Sequence, residues 1–164
     1  MINRELYMEQ ITPFIDKPFV KVITGIRRCG KSVVLRLIRE ELLRRGVSED
    51  HIIYMNFESF EWMDVKEAKA LYTYIREVTK VSGKYYILLD EIQEVTDWEK
   101  AVNAFLVDLD ADIYVTGSNP RLLSSEFSTY LAGRYVAFHI MTLSFREYLL
   151  FHNVPLAISA SDRK

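Results

Sequence analysis

Apolar residues along this chain recur in two alternating patterns. FVKVIT (19–24) is a short β-rich run that ends at Gly25. VVLRLIREELLRR follows with Val34, Leu35, Ile38, Leu42 and Leu43 at helical spacing, and Gly46 stops it. On the polar face, Glu40 with Arg44 and Glu41 with Arg45 form i,i+4 pairs. HIIYMNF (51–57) reads as a second strand. Asp64 and Glu67 then read as a cap pair ahead of the stripe Val65, Ala68, Leu71, Tyr72 and Ile75. YYILL (85–89) is continuously apolar, as a strand covered on both faces must be. Thr96 and Glu99 fit a capping box before Trp98, Ala101, Val102, Phe105, Leu106 and Leu109. DIYVT (112–116) is a fourth strand, a short helix is expected after Pro120, and YVAFHIM (135–141) is a fifth strand. Ser144 and Glu147 make another capping box before Phe145, Tyr148 and Leu149.

Strands alternating with helices predict βαβ units: an α/β fold with a parallel sheet between two helical layers. Residues 1–18 form the lead-in, with a helix over Arg4 to Ile15. Residues 19–152 form the core, and 153–164 a polar tail expected to lead to a lid or a C-terminal domain outside the chain. The chain has 164 residues, 49% hydrophobic and 27% charged, which suits one ordinary globular domain. A net charge of −2 gives no global attraction to nucleic acid or to anionic membrane. One cysteine excludes an internal disulfide framework and a multi-cysteine metal site. With no apolar run of spanning length and no leader-like start, the sequence reads as soluble and cytoplasmic.

The chemistry is concentrated in GIRRCGKS (25–32), which fits G-x-x-x-x-G-K-[ST] between a strand and a helix. Such a P-loop wraps phosphate with backbone N–H groups, and the helix N-terminus adds partial positive charge. Gly25, Ile26, Arg27, Arg28, Cys29, Gly30, Lys31, Ser32 and Val33 are the candidate nucleotide-binding segment. Lys31 is expected to reach the β- and γ-phosphates, and the Ser32 hydroxyl to bind Mg²⁺. Asp90, at the end of the most apolar strand, is the second candidate contact to the metal. Glu91, next to it, is the candidate base for an attacking water. P-loop proteins that hydrolyse ATP with such a glutamate usually insert a further strand whose tip is polar. Here DIYVTGSN ends on Thr116, Ser118 and Asn119. Asn119 is read either as a contact to the γ-phosphate or lytic water, or as an N-cap before Pro120.

GIRRCGKS, LLDEIQ, VTGSN, LAGRY and LSFREYL together resemble a family of prokaryotic AAA+-like ATPases, along nearly the whole chain. In that family the ATPase domain usually precedes a C-terminal domain of unknown function. The resemblance implies a three-layer αβα fold with a five-stranded parallel sheet in the order 5-1-4-3-2, and binding of ATP and Mg²⁺. It implies a second copy or the attached domain as partner, and nucleic acid only by analogy. Arg134, in LAGRY, is the candidate arginine finger, acting in its own subunit, in a neighbour, or only in a surface ion pair.

The side chains of Arg27 and Arg28 are expected to point away from the phosphates. Cys29 is either a small filler or a thiol activated by the loop's amides, which alkylation would then report. His51, His139 and His152 lack metal-ligand spacing, and Phe57, Phe60 and Trp62 read as packing under the next helix. Two functions compete on the same residues: an ATPase that drives or gates an attached domain, and a nucleotide-dependent switch with little turnover. A small-molecule phosphotransferase is disfavoured by Glu91 and Asn119.

Overall fold

The computed structural model describes residues 4–118, 122 and 131–152. Five strands form one parallel sheet: β1 (Val20–Thr24), β2 (Ile52–Asn56), β3 (Tyr85–Asp90), β4 (Ala111–Gly117) and β5 (Tyr135–His139). Their order is β2-β3-β4-β1-β5, the order the resemblance implied. Helices α1 (Glu5–Ile11) and α2 (Lys31–Arg44) cover one face, and α3 (Ala68–Val78) and α4 (Trp98–Asp108) cover the other. A last helix, α5 (Phe145–Phe151), follows β5. The helix expected after Pro120 lies outside the described residues.

Side chains alternate across each strand, so β3 feeds both layers. Tyr85, Ile87 and Leu89 pack with Leu71, Ile75, Val102 and Phe105. Tyr86 and Leu88 pack on the other face with Leu35, Ile38 and Leu42. All six β3 residues are buried, which explains its unbroken apolar run. The lead-in helix is shorter than expected: α1 stops at Ile11 and a 3₁₀ turn, Thr12–Phe14, takes over at Pro13.

Of the three cap pairs expected, one forms. Ser144 Oγ accepts from the Glu147 N–H at 3.2 Å, and Glu147 Oε2 accepts from the Ser144 N–H at 2.7 Å. Asp64 does not cap α3, and Thr96 does not cap α4. Glu67 and Thr96 instead meet as an isolated parallel bridge. The Thr96 carbonyl accepts from the Ala68 N–H at 2.9 Å, and the Thr96 N–H donates to Lys66 O at 2.8 Å. A first-turn donor of α3 is thus satisfied by backbone just ahead of α4 and not by a side chain. On α2, Arg44 turns to Glu41 at 2.7 Å, beside Arg45 at 2.8 Å, rather than to Glu40.

At the end of the sheet where the strands begin, Lys21 points into the α1–α2 face with no exposed side chain. Its ammonium bonds the Asp112 carboxylate and donates to Lys17 O at 2.8 Å. Asp112 also accepts from the Tyr114 hydroxyl and the Asp16 N–H, both at 2.8 Å, and Tyr86 donates to Asp16 at 2.8 Å. Burial holds the Lys21 ammonium below its usual range, against the pull of Asp112. This network staples the lead-in to the sheet. Lys21→Met leaves the Asp112 charge buried without its cation and should cost roughly 3–5 kcal/mol. Urea unfolding with an unchanged m-value measures it, and a loss below about 1 kcal/mol would mean that solvent reaches the pair.

Candidate functional site

In a parallel sheet all strands end on the same side, so the loops after β1, β3 and β4 meet there. Register pairs Thr24 with Gly117 and Asn56 with Asp90. The loop after β1 needs both its glycines. A Cβ on Gly25 would lie 2.3 Å from Ile140 O and 2.7 Å from Cys29 Sγ. Gly30 has φ 100°, and a Cβ there would lie 2.9 Å from an Arg4 nitrogen. Ile26, Arg27 and Arg28 form the exposed rim, and Arg27 meets Glu58 at 3.3 Å, pointing outwards as expected. Cys29 turns inwards and packs with the α1–α2 core at 3% exposure, so it is a filler beneath the loop and a poor alkylation target. Ser32 and Val33 are half-buried in the first turn of α2.

Lys31, the first residue of α2, is 3% exposed. Its ammonium donates to Ser118 Oγ at 2.7 Å and to Ile26 O at 3.2 Å, and lies 3.3 Å from Glu91 Oε1. Glu91 sits just past β3 with φ 55°, a left-handed backbone that turns its carboxylate towards Lys31 and Ser118. Ser118 Oγ contacts both of its oxygens, at 3.0 and 2.9 Å, and Gln93 Nε2 donates to Oε2 at 2.7 Å. Burial alone would raise the Glu91 carboxyl. The hydrogen bonds from Gln93 and Ser118, with the Lys31 charge, outweigh it and hold Glu91 below the usual carboxylate range.

Asp90 is fully buried. Thr116 Oγ1 donates to Oδ1 at 2.6 Å and accepts from the Glu91 N–H at 2.9 Å, so one hydroxyl fixes both acidic residues. Tyr54 of β2 donates to Oδ2 at 3.0 Å. Burial and the adjacent Asp90 carboxylate push the Tyr54 phenol up to about 12, so it remains a donor.

The fold thus gathers Lys31, Glu91 and Asp90 at one point, and it places Arg134 elsewhere. The Arg134 carbonyl accepts from the Val20 N–H at 2.8 Å, at the start of β1, whereas the phosphate loop follows its end. At ~3.3 Å per residue the two are roughly 16 Å apart along the strand. The Arg134 side chain bonds Asn103 Oδ1 on α4 at 2.7 Å. Asn119 lies outside the described residues.

Sequence reasoning assigned no role to Tyr54, Gln93, Ser118, Thr116 or Arg4. Thr116 and Ser118 had a signal, being polar at the tip of an apolar strand two residues apart, hence on one face. Tyr54, Gln93 and Arg4 had none. His51 stacks on Tyr85 at 4.8 Å, and His139 meets Thr24 Oγ1 at 3.2 Å. Among the described residues no helix is long and apolar enough to cross a membrane, and no three His, Cys, Asp or Glu side chains gather as a metal group.

Comparison with known proteins follows this geometry. An uncharacterised protein of Haemophilus influenzae is 48% identical over 155 residues, which is 94% of this chain and 39% of that protein. One of Methanocaldococcus jannaschii is 33% identical over 153 residues, 93% of this chain and 32% of that protein. The chain therefore spans less than half the length of either relative. Among solved structures, AMPPCP-bound DnaA from Aquifex aeolicus superposes with a TM-score of 0.58 at 15% identity, covering 91% of this chain and 49% of that one. Hsp104 with ATPγS and casein superposes with a TM-score of 0.61 at 11% identity, covering 93% and 29%. These likenesses concern the fold. The AAA domain family (AAA_14) matches residues 17–149, most of the chain, and the chain belongs to that family as an AAA+-like P-loop ATPase domain.

Proposed function

We propose that this domain binds Mg·ATP in the Gly25–Ser32 loop and hydrolyses it to ADP and phosphate, driving or gating an attached domain. The observation that carries the reading is the buried Lys31–Glu91 contact at 3.3 Å, with Ser118 bonded to both. It joins, at the mouth of the phosphate loop, the cation that a γ-phosphate needs and the base that a lytic water needs.

In the free protein these two groups satisfy each other. A γ-phosphate competes for Lys31 and frees one Glu91 oxygen. Gln93 and Ser118 still hold the carboxylate, so it keeps its direction towards an attacking water. Ser32 and Asp90 supply oxygen donors, the set that a hard cation such as Mg²⁺ takes, and the bonds from Tyr54 and Thr116 fix the Asp90 carboxylate in place. Magnesium there would neutralise charge on the β- and γ-oxygens. Asn119, two residues past β4 in sequence, is proposed to contact the γ-phosphate or the water.

Arg134 lies at the opposite end of β1 from its own phosphate loop, which speaks against a contact with a nucleotide there. As a finger it serves a neighbouring copy, which makes a second copy the partner for catalysis. The same distance favours the alternative reading: alone, the domain holds nucleotide as a switch with little turnover.

Phosphate release per protomer, measured across protein concentrations, separates the two. Glu91→Gln should retain ATP and lose about 10²–10⁴-fold in rate, the share of a general base. A variant as fast as the parent protein would remove Glu91 from the mechanism. If Arg134 acts on a neighbour, Arg134→Ala and Glu91→Gln should each be inactive alone and recover activity on mixing. An absence of recovery, with nucleotide bound by both, would leave the switch reading standing.

A further inference from the structure

The strongest unassigned feature is Arg4, a guanidinium buried to 2% exposure behind the phosphate loop. It donates to Cys29 O at 2.5 Å and to Met141 O at 2.9 Å, and its Nε pairs with Glu147 Oε1 at 2.9 Å. It also lies 4.6 Å over the Tyr7 ring, and the Tyr7 hydroxyl accepts from the Met141 N–H at 3.0 Å. One side chain therefore joins the lead-in, the phosphate loop, the segment after β5 and the first turn of α5.

The bond to Cys29 has a directional consequence. No peptide in the described chain is cis. In a trans peptide the C=O and N–H point in opposite directions. Drawing the Cys29 carbonyl towards Arg4 turns the Gly30 N–H of the same peptide away from Arg4, to the opposite side of the loop. Gly30 has no side chain, and Arg4 occupies the space one would need. Glu147 supplies the countercharge that lets an arginine sit there. Its carboxylate also closes the capping box that starts α5. Burial would raise the Glu147 carboxyl, and the Arg4 and Ser144 hydrogen bonds outweigh it and hold it low, so the pair stays charged.

We propose that Arg4 is a positioning residue for nucleotide binding, aiming the Gly30 N–H into the cradle and tying its occupancy to the placement of α5 through Glu147. The proposal rests on the ATP-binding reading above. Phosphate drawn onto the Gly30 N–H pulls on a peptide whose other end is held by Arg4, and Arg4 shares its remaining donors between Met141 and Glu147. Loading of the cradle is thereby felt at the start of α5.

The test is hydrogen exchange of the whole 164-residue chain, with and without magnesium and the ATP analogue AMPPCP. The proteins compared are the parent, Arg4→Lys and Glu147→Gln, all checked for a cooperative unfolding transition. In the parent, the analogue should slow exchange both in the phosphate loop and over residues 141–149. In Glu147→Gln the loop should still respond and residues 141–149 should not. Arg4→Lys keeps the charge and loses the fork, and should bind AMPPCP about tenfold more weakly, the loss of roughly one charge-assisted hydrogen bond. A parent protein protected in the loop alone, or a Glu147→Gln response as large as the parent's, overturns the coupling and leaves nucleotide binding intact. Unchanged AMPPCP affinity in Arg4→Lys overturns the positioning role. No protection anywhere in the parent would defeat the ATP-binding reading, and this proposal with it.

Discussion

Parallel strands cannot be joined by tight turns, so each connection in this chain must cross back over a face of the sheet. All strand ends then fall on one side. The glycine loop after β1, the acidic pair after β3 and the polar tip of β4 converge there although they are far apart in sequence. The two covering layers follow from the same constraint. Strands buried on both faces need helices on both, and the apolar stripes of α2 and α3 supply opposite sides. Topology therefore brings these segments together, and the residue types within them decide what the place can do.

Such an arrangement concentrates charge at the two ends of a buried sheet, and the ends handle it differently. Where the strands begin, Lys21 and Asp112 are enclosed and saturated: the carboxylate also takes Tyr114 and the Asp16 N–H, and the ammonium takes Lys17 O. A pair closed in this way fixes structure and has nothing to exchange. Where the strands end, Lys31 and Glu91 sit 3.3 Å apart and share Ser118, with the loop backbone beside them. Neither group depends on the other alone, since Gln93 also holds Glu91 and Ile26 O also holds Lys31. These second partners leave each group hydrogen-bonded if the contact opens, as the proposed binding of an anion would need.

The elements were legible because each turns on a strong local signal, whether a glycine stop, a helical stripe or an unbroken apolar run. The strand order came from family resemblance, since nothing in spacing distinguishes it from other doubly wound orders. Gly25, Lys31, Asp90 and Glu91 were legible as a motif whose residue types the chemistry requires. What remained hidden was whatever depends on contacts distant in sequence. Arg4 is 143 residues from Glu147 and reads locally as an ordinary helix-start arginine. Tyr54 reads as a strand aromatic until β2 is laid beside β3. Thr96 and Glu99 have the letters of a capping box, yet the Thr96 backbone pairs with Lys66 and Ala68, and Asp97 takes the cap position of α4. Ser144 and Glu147 have the same letters and do form one, held by an arginine that no local pattern could supply.

Charge balance then sets what the domain can do by itself. In the free protein Lys31 is matched by Glu91, Arg4 by Glu147 and Arg27 by Glu58. A nucleoside triphosphate with its metal brings net negative charge into this balanced set. In the proposed complex Lys31 turns to the phosphate, and Glu91 is then held by Gln93 and Ser118. Arg4 cannot follow, because it lies behind the loop and holds Glu147 in an enclosed pair. Arg28 is exposed on the rim of the loop. In the proposed hydrolysis, charge gathering on the γ-phosphoryl oxygens would call for a cation beyond Lys31. Arg134 is exposed on the far end of the same sheet, where its side chain bonds Asn103 of α4. Under the proposed function, Arg134 at the far end of the sheet is the cation that a neighbouring copy would supply.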